Sequence, residues 1–227
     1  MKALLAALLI LNSYSSRAAD DEAHIFTLVD RFEYANNDNQ LTLDMRAWWG
    51  NDTHALLFES EVERAEGEIE DGDVRLLYRR PFSRFFDWKL GAGHQFEPGP
   101  DRAFVIFGVE GLAPYWLEVD ADIRLSEQGD ISATFEVETD WLIAQRIVLQ
   151  PRIEIRLQAQ NVPEHLVGSG LSSVEAGLRL RYEITRKLAP YVGISWHRSY
   201  GNTGDLVSNQ DEDRDDLSAV LGVRFWF

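Results

Sequence analysis

The chain contains no cysteine and only two methionines, one of which is the initiator. The absence of cysteine excludes disulfides, thiolate metal sites and cysteine nucleophiles. Beyond its first residues, the sequence also lacks any apolar run close to the ~20 residues that a transmembrane helix needs. A membrane-inserted form of this chain therefore has to cross the bilayer as strands. Basic residues are few, and the formal net charge of −16 argues against nucleic acid as a partner.

The first 18 residues have the features of a secretory signal peptide. Lys2 supplies a positive charge, residues 4–11 are an unbroken apolar run, and Ser16 and Ala18 are the small residues that precede a cleavage site. The apolar run is much shorter than a membrane-spanning helix. We therefore expect residues 1–18 to be removed on export, which leaves a short N-terminal segment, 19–23, and one domain, 24–227.

Residues 216–227 alternate between apolar and mixed side chains. The apolar positions are Leu217, Ala219, Leu221, Val223, Phe225 and Phe227. A period of two is that of a β-strand with one apolar face, and terminal aromatic residues suit the lipid–water boundary of a membrane barrel. The tail resembles the C-terminal assembly signal of outer-membrane barrels. The edge strand of a soluble β-sandwich is the alternative.

Similar alternating segments fill the rest of the chain, separated by turn residues. They predict an all-β fold, an antiparallel up-and-down transmembrane β-barrel of about 12 strands, with ten as the alternative. Pairing of residues 24–35 with 216–227 would close it. Short turns are expected at one end and long loops at the other. The predicted turns are 51–53, 81–85, 113–114, 142–145 and 187–190, and the predicted long loops are 66–73, 161–172 and 201–215.

The side chains expected to face the barrel interior carry charges whose signs are grouped by strand. The acidic positions are Glu59, Glu61, Glu63, Glu118, Asp120, Asp122, Glu136, Glu138 and Asp140, and the basic ones are Arg75, Arg79, Arg152, Arg156, Arg179 and Arg181. Neighbouring strands place such groups about 5 Å apart, close enough for ion-pair networks. These networks either fill and rigidify a plugged lumen or form an interior that attracts cations.

The sequence offers only one weak candidate for a catalytic nucleophile and its base. We therefore assign no catalytic or cofactor-binding residues and expect no enzymatic activity. His197, with Ser195 two residues earlier on the same inward face, is the nearest approach to a nucleophile and its base. A barrel that hydrolyses lipids or esters remains as a third hypothesis on this basis. No phosphate-binding loop or His-x-Glu metal motif occurs in the sequence.

Several stretches together resemble the copper resistance protein B family of bacterial outer membranes. They are residues 48–52, 59–63, 108–115, 145–152, 168–171, 177–184, 189–193 and 222–227. The most specific is Gly-Leu-Arg-Leu-Arg-Tyr-Glu-Ile at 177–184, followed by Ala-Pro-Tyr-Val-Gly at 189–193. The resemblance covers essentially the whole mature barrel. It implies an outer-membrane barrel of copper resistance or homeostasis, which binds or passes copper ions.

One departure from the family concerns the metal ligands. Members often carry a Met- and His-rich segment before the barrel, and this sequence departs from that pattern. Met45 is the only methionine after the initiator, and His24 is the only histidine that precedes the barrel. Carboxylates are hard ligands that suit calcium, magnesium or manganese better than copper. His197 is the best single candidate for a copper ligand, with Glu59 and Glu61 as contributors. The expected partners are outer-membrane lipid, copper ions and periplasmic copper-handling proteins, and we expect a monomer.

Overall fold

A computed structural model describes residues 23–37, 39–65, 67–208 and 213–227. The predicted signal peptide, 1–18, lies outside the described residues, as does all but the last residue of segment 19–23. The strands are β1 (His24–Ala35), β2 (Leu41–Gly50), β3 (Ala55–Ala65), β4 (Glu68–Pro81), β5 (Phe86–Glu97), β6 (Arg102–Ala113), β7 (Leu117–Ser126), β8 (Ile131–Glu138), β9 (Trp141–Ala144), β10 (Ile147–Gln158), β11 (Gly170–Tyr182), β12 (Leu188–Ser199) and β13 (Asp215–Trp226). Helix α1 spans Gly201–Ser208, and short 3-10 turns span Pro114–Trp116 and Pro163–His165.

The strands form one closed antiparallel barrel. Each strand pairs with its neighbours in chain order, and β8 and β9 both pair with β10, so that they are two parts of one wall strand. Pairing of β1 with β13, from Leu28↔Trp226 to Ala35↔Val220, closes the sheet. The barrel therefore has twelve wall strands, which confirms the prediction from the alternating segments.

The terminal residue takes part in this closure. The backbone N–H of Phe227 donates to the carbonyl of Thr27 at 3.0 Å, and the Thr27 N–H donates to the Phe227 carbonyl at the same distance. A free strand edge cannot satisfy its backbone polar groups in lipid. The last strand thus removes the edge that β1 would otherwise present.

Alternation along each strand separates an apolar outer face from a polar inner face. On β13 the exposed residues include Leu217 and Leu221, whereas Ser218 and Val220 are buried. Exposed leucine, isoleucine, valine and phenylalanine side chains cover the outer wall of the other long strands in the same way, as expected of a face in contact with lipid. Within the described residues, no helix is long and apolar enough to cross a membrane.

One side of the interior is apolar, which the sequence analysis did not predict. Leu57, Leu77, Phe104 and Ile106 form a buried cluster, with Trp48 packed against it. A side chain at Gly93 would collide with the ring of Phe104, so the absence of a Cβ at this position lets the ring lie against the wall. The cluster fills the lumen beside β3, β4 and β6 and confines the charged groups to the remaining space.

Connections differ between the two ends of the barrel. At the end that carries His24 and Phe227, the terminus end, the connections are the short segments 51–54, 82–85, 114–116, 145–146 and 183–187. At the opposite end, the loop end, segments 159–169 and 200–214 are the longest. The predicted asymmetry between short turns and long loops is therefore present.

Several predicted loop bounds were wrong. Residues 66–73 are no long loop, because β3 and β4 continue as a hairpin with Glu63↔Asp71 and Ala65↔Glu68 paired, and only 66–67 connect them. Acidic residues do not interrupt the hydrogen-bonded pairing of two strands where the side chains on both faces of the hairpin contact water. In the same way, 142–145 lies mostly in β9, 187–190 mostly in β12, and 201–215 contains α1.

Candidate functional site: the charged lumen

The lumen holds a cavity of about 870 Å³. Its lining extends from Asp87 and Glu118 near the terminus end to His165 and Thr203 at the loop end. Fourteen carboxylates and nine guanidinium groups line it, so the interior carries an excess of negative charge. A concave, low-dielectric space with one dominant sign of charge concentrates the opposite ion.

Some ion pairs connect strands that are not neighbours in the barrel. Arg46 on β2 reaches three carboxylates, with Nη2 2.8 Å from Glu59 Oε1 and 3.3 Å from Asp120 Oδ2, and Nη1 3.2 Å from Glu110 Oε2. Arg124 on β7 contacts Asp73 on β4, with Nη1 2.9 Å from Oδ2. These contacts cross the lumen and narrow it.

Arg152 is the centre of a second network. Its Nη2 lies 2.7 Å from Glu136 Oε2 and also contacts Glu154, and its Nη1 lies 3.0 Å from Glu175 Oε1. Arg31 reaches Glu175 as well, with Nη1 3.7 Å from Oε1. The predicted pairing of charges on neighbouring strands is thus present.

Lys89 was not singled out from the sequence, although it is 1% exposed. Its Nζ lies 2.7 Å from Asp120 Oδ2 and 3.1 Å from Asp122 Oδ1. A Cβ at Gly108 would lie 2.7 Å from the Lys89 Cε, so the missing side chain at Gly108 makes room for the lysine. In the sequence, this arrangement is indicated by an inward-facing lysine, Lys89, on one strand and an inward-facing glycine, Gly108, on the next.

The three predicted copper ligands lie in different surroundings. Glu59 faces Arg46 and Arg75, and Glu61 faces Arg31 and Arg75. His197 lines the cavity on β12, where its Nε2 lies 3.4 Å from the Ser199 hydroxyl. Among the residues that the structure describes, no group of three or more His, Asp or Glu side chains is arranged to hold a metal ion. Copper binding by these residues stays a prediction.

His165 is a functional candidate that the sequence analysis missed, because it lies in a loop without periodicity. It is 2% exposed, its Nδ1 contacts the Pro98 carbonyl, and it lines the cavity at the loop end. A carbonyl only accepts, so Nδ1 carries the proton when the ring is neutral. Burial, helped by Arg102, lowers the pKa of His165 below its usual value, which favours the neutral ring. The buried Nε2, which has no hydrogen-bond partner among the described atoms, then carries a free lone pair.

The nucleophile–base pair considered for a hydrolase is not formed. The Ser195 hydroxyl donates to Glu175 Oε1 at 3.4 Å rather than to His197. It is Ser199 whose hydroxyl lies beside His197. Among the described residues, no imidazole is hydrogen-bonded to the Ser195 hydroxyl.

Comparison with known proteins identifies the family. The family model "Copper resistance protein B precursor (CopB)" matches residues 23–227. The chain belongs to the copper resistance protein B family. It is 38% identical to a copper resistance protein B homolog of Pseudomonas syringae pv. tomato, over 96% of this chain and 75% of that protein. It is 33% identical to copper resistance protein B of Escherichia coli, over 92% of this chain and 71% of that protein. The resemblance found in the sequence motifs is thereby confirmed.

A solved structure supports the architecture of the family member. The NanC porin superposes with a TM-score of 0.56 over 89% of this chain and 99% of the porin, at 13% sequence identity. At this level of identity the similarity concerns the fold alone. The barrel fold is therefore shared with a porin.

Proposed function

We propose that this protein lies in the bacterial outer membrane and lets copper(II) ions enter and cross its lumen. The observation that carries the proposal is the cavity of about 870 Å³ in which carboxylates outnumber guanidinium groups, in a chain of the copper resistance protein B family. Copper is the cargo here, and the chain supplies the oxygen and nitrogen atoms that would contact it.

The orientation follows from the two ends of the barrel. Outer-membrane barrels keep short turns on the periplasmic side, so the terminus end faces the periplasm. Among the described residues, the connections at the loop end carry six carboxylates and one basic residue, Asp101, Glu127, Asp130, Glu164, Asp205 and Asp213 with Arg214. Those at the terminus end carry four basic residues and two carboxylates, Arg84, Arg146, Arg186 and Lys187 with Asp52 and Glu183. Acidic loops raise the local concentration of cations at the outer mouth.

Donor chemistry favours copper(II) over copper(I). Copper(I) prefers soft sulfur ligands, whereas imidazole also suits copper(II). The cavity lining contains carboxylates, hydroxyls and the imidazoles of His165 and His197, and Met45 is not part of it. A lumen of this composition interacts with hydrated copper(II) through oxygen and nitrogen.

Uptake into vesicles tests the proposal. Purified barrel is reconstituted into vesicles that enclose a copper-sensitive dye, and copper(II) is added outside, with protein-free vesicles as the control. We expect faster uptake with the barrel, and saturable binding by calorimetry that is tighter for copper(II) than for copper(I). Uptake equal to that of protein-free vesicles, with no saturable binding, would contradict the proposal.

That negative result would support a second function, a structural barrel whose lumen is closed by ion pairs. The observation in its favour is the set of contacts that cross the lumen from Arg46 and Arg124. A salt-bridged interior predicts a small single-channel current in planar bilayers. A large current would exclude the closed barrel.

A further inference from the structure

Eight side chains, one from each successive wall strand between β5 and β13, form a row along the inner wall of the barrel. Its lower half is Asp87, Glu110, Asp120 and Glu136, which are register partners in turn on β5, β6, β7 and β8. Its upper half is Glu154, Glu175, His197 and Asp216, which continue the register on β10, β11, β12 and β13. Seven of the eight are carboxylates and the other is an imidazole. We call this set the acidic row.

The acidic row climbs from one end of the barrel to the other. Asp87 is the second residue of β5, at the terminus end, and Asp216 is the second residue of β13, at the loop end. Seven steps between strands of about 4.8 Å each, on strands tilted by about 40°, give a climb of roughly 22 Å. This is close to the ~25 Å height of the apolar band of an outer-membrane barrel. The row therefore extends over most of that height.

Neighbouring rows do not share this uniformity. Two residues closer to the loop end, the register runs through Arg79, Lys89, Gly108, Asp122 and Thr134. Two residues closer to the terminus end, Glu118 and Glu138 are followed by Arg152, Gly177 and Ser195. In both neighbouring rows, basic or small residues lie between the carboxylates. A cation that moved along either row would lose its oxygen ligands at those positions.

The row already holds cationic groups. Asp120 is held by Lys89 and Arg46, Glu136 by Arg152, and Glu154 by Arg152 and Arg156. Toward the loop end this changes, since His197 and Asp216 have no ion pair with lysine or arginine among the described residues. At this end an incoming cation competes with the fewest lysine and arginine side chains for the carboxylates. Farther along the row it would have to displace guanidinium groups from their carboxylate partners.

A second, independent feature points to a ligand at the same end. The buried imidazole of His165 lines the cavity with its Nε2 unpaired among the described atoms. An unsatisfied buried polar atom needs a partner, and a neutral imidazole nitrogen is a good ligand for a divalent transition metal. The 3-10 turn of His165 thus places a nitrogen donor at the loop end of the same cavity that His197 lines.

We propose that the acidic row is the path by which a divalent cation crosses this barrel, with His165 as the ligand that receives it at the loop end. The proposal deepens the proposed function and rests on it only for the identity of the ion. The path offers carboxylate oxygens at seven of its eight steps, and His197 supplies a nitrogen at the other. Potassium binds carboxylate oxygens but hardly binds imidazole nitrogens. Potassium selectivity therefore tests the acidic row alone, whereas copper uptake also tests His165.

Reversal potentials across a potassium chloride gradient in planar bilayers test the row without copper. Asp216→Asn removes a row carboxylate, and Asp215→Asn is the matched control, because it removes the adjacent carboxylate on the outer face of β13. We expect Asp216→Asn to lower the ratio of cation to anion permeability by about threefold, and Glu136→Gln with Glu154→Gln to lower it by roughly tenfold. The control Asp215→Asn should leave the ratio unchanged. Glu63→Gln controls for loss of a lumen carboxylate outside the row.

Equal ratios in the wild-type protein and the row variants, or no measurable current through the wild-type barrel, would overturn the path. Asp216→Asn lies at the rim, and it keeps the test decisive if the double variant does not fold. Copper(II) uptake is then measured on the same preparations. If row variants change potassium selectivity but the wild-type barrel passes no copper, the path stands and the copper function fails. If copper passes equally through wild type and row variants, the function stands and the row fails.

His165→Gln completes the test, because glutamine keeps a donor for the Pro98 carbonyl and loses the imidazole. We expect slower copper(II) uptake at low copper concentration, with an unchanged potassium reversal potential. Unchanged copper uptake in this variant would remove His165 from the path. A change in potassium selectivity would indicate a structural effect on the loop end instead of a lost ligand.

Discussion

Replacement of Arg152 by methionine tests whether the lumen network supports the fold. Arg152 is 5% exposed and contacts Glu136, Glu154 and Glu175. Glu154 keeps Arg156, whose Nε lies 2.5 Å from Oε1, and Glu175 keeps Arg31 at 3.7 Å. Only Glu136 loses its ion-pair partner among the described residues. Breaking a fully buried pair costs about 3–5 kcal/mol. Because the Glu136 side chain is 30% exposed, we expect the free energy of unfolding to fall by about 3 kcal/mol, the lower end of that range.

Reversible urea unfolding of the barrel in lipid vesicles measures this loss. The double variant with Glu136→Gln should recover most of it, since the unpaired charge is then gone. Arg198→Met is the control, because Arg198 is 49% exposed and pairs with Asp215 at the surface, with Nη1 3.2 Å from Oδ2; its loss should cost no more than about 1 kcal/mol. A loss for Arg152→Met as small as that of the control, or no recovery in the double variant, would refute the reasoning.

Three further variants probe closure and packing. Deletion of residues 225–227 should abolish barrel assembly, seen as loss of heat-modifiable migration in electrophoresis, because Thr27, Leu28 and Val29 of β1 then lose their partners on β13 and the seam opens at the terminus end; a folded deletion variant would contradict this. Leu57→Ala, at a residue 0% exposed, should lower the free energy of unfolding by about 2–5 kcal/mol, whereas the lipid-facing Leu56→Ala should cost much less, and equal costs would contradict the assignment of faces. Gly93→Ala should destabilise the barrel through collision with the Phe104 ring, and Phe104→Leu should relieve much of that loss; no relief would show that the collision lies elsewhere.

The fold was predictable because strand alternation is a local property. The residues of β13 carry their period of two in the sequence itself, and closure follows once the strand count is even. The bounds of the hairpin at 66–73 were not predictable. Outside the membrane, an acidic stretch is as compatible with a continued pair of strands as with a loop. The apolar cluster around Leu57 was also missed, since an inward leucine looks like any other strand residue.

The acidic row could not be derived from the sequence, although its acidic segments on β7 and β8 were recognised. Which residue faces which across the sheet depends on the length of each turn and on register shifts such as the one between Arg156 and Leu157, where β10 pairs with β11. A shift of one residue would break the row. His165 carries no pattern at all, because its position above the lumen depends on the contact of its turn with Pro98.

Anomalous X-ray diffraction at the copper absorption edge, from crystals of the barrel soaked in copper(II), tests the central claim most directly. We expect copper peaks inside the lumen at the loop end, near His165, His197 and Asp216, and weaker peaks along the row toward Asp87. In Asp216→Asn crystals the peak beside residue 216 should be lost, while the Asp215→Asn control should keep it. Copper bound only on the outer surface of the barrel, with none in the lumen, would contradict a cation path through this protein.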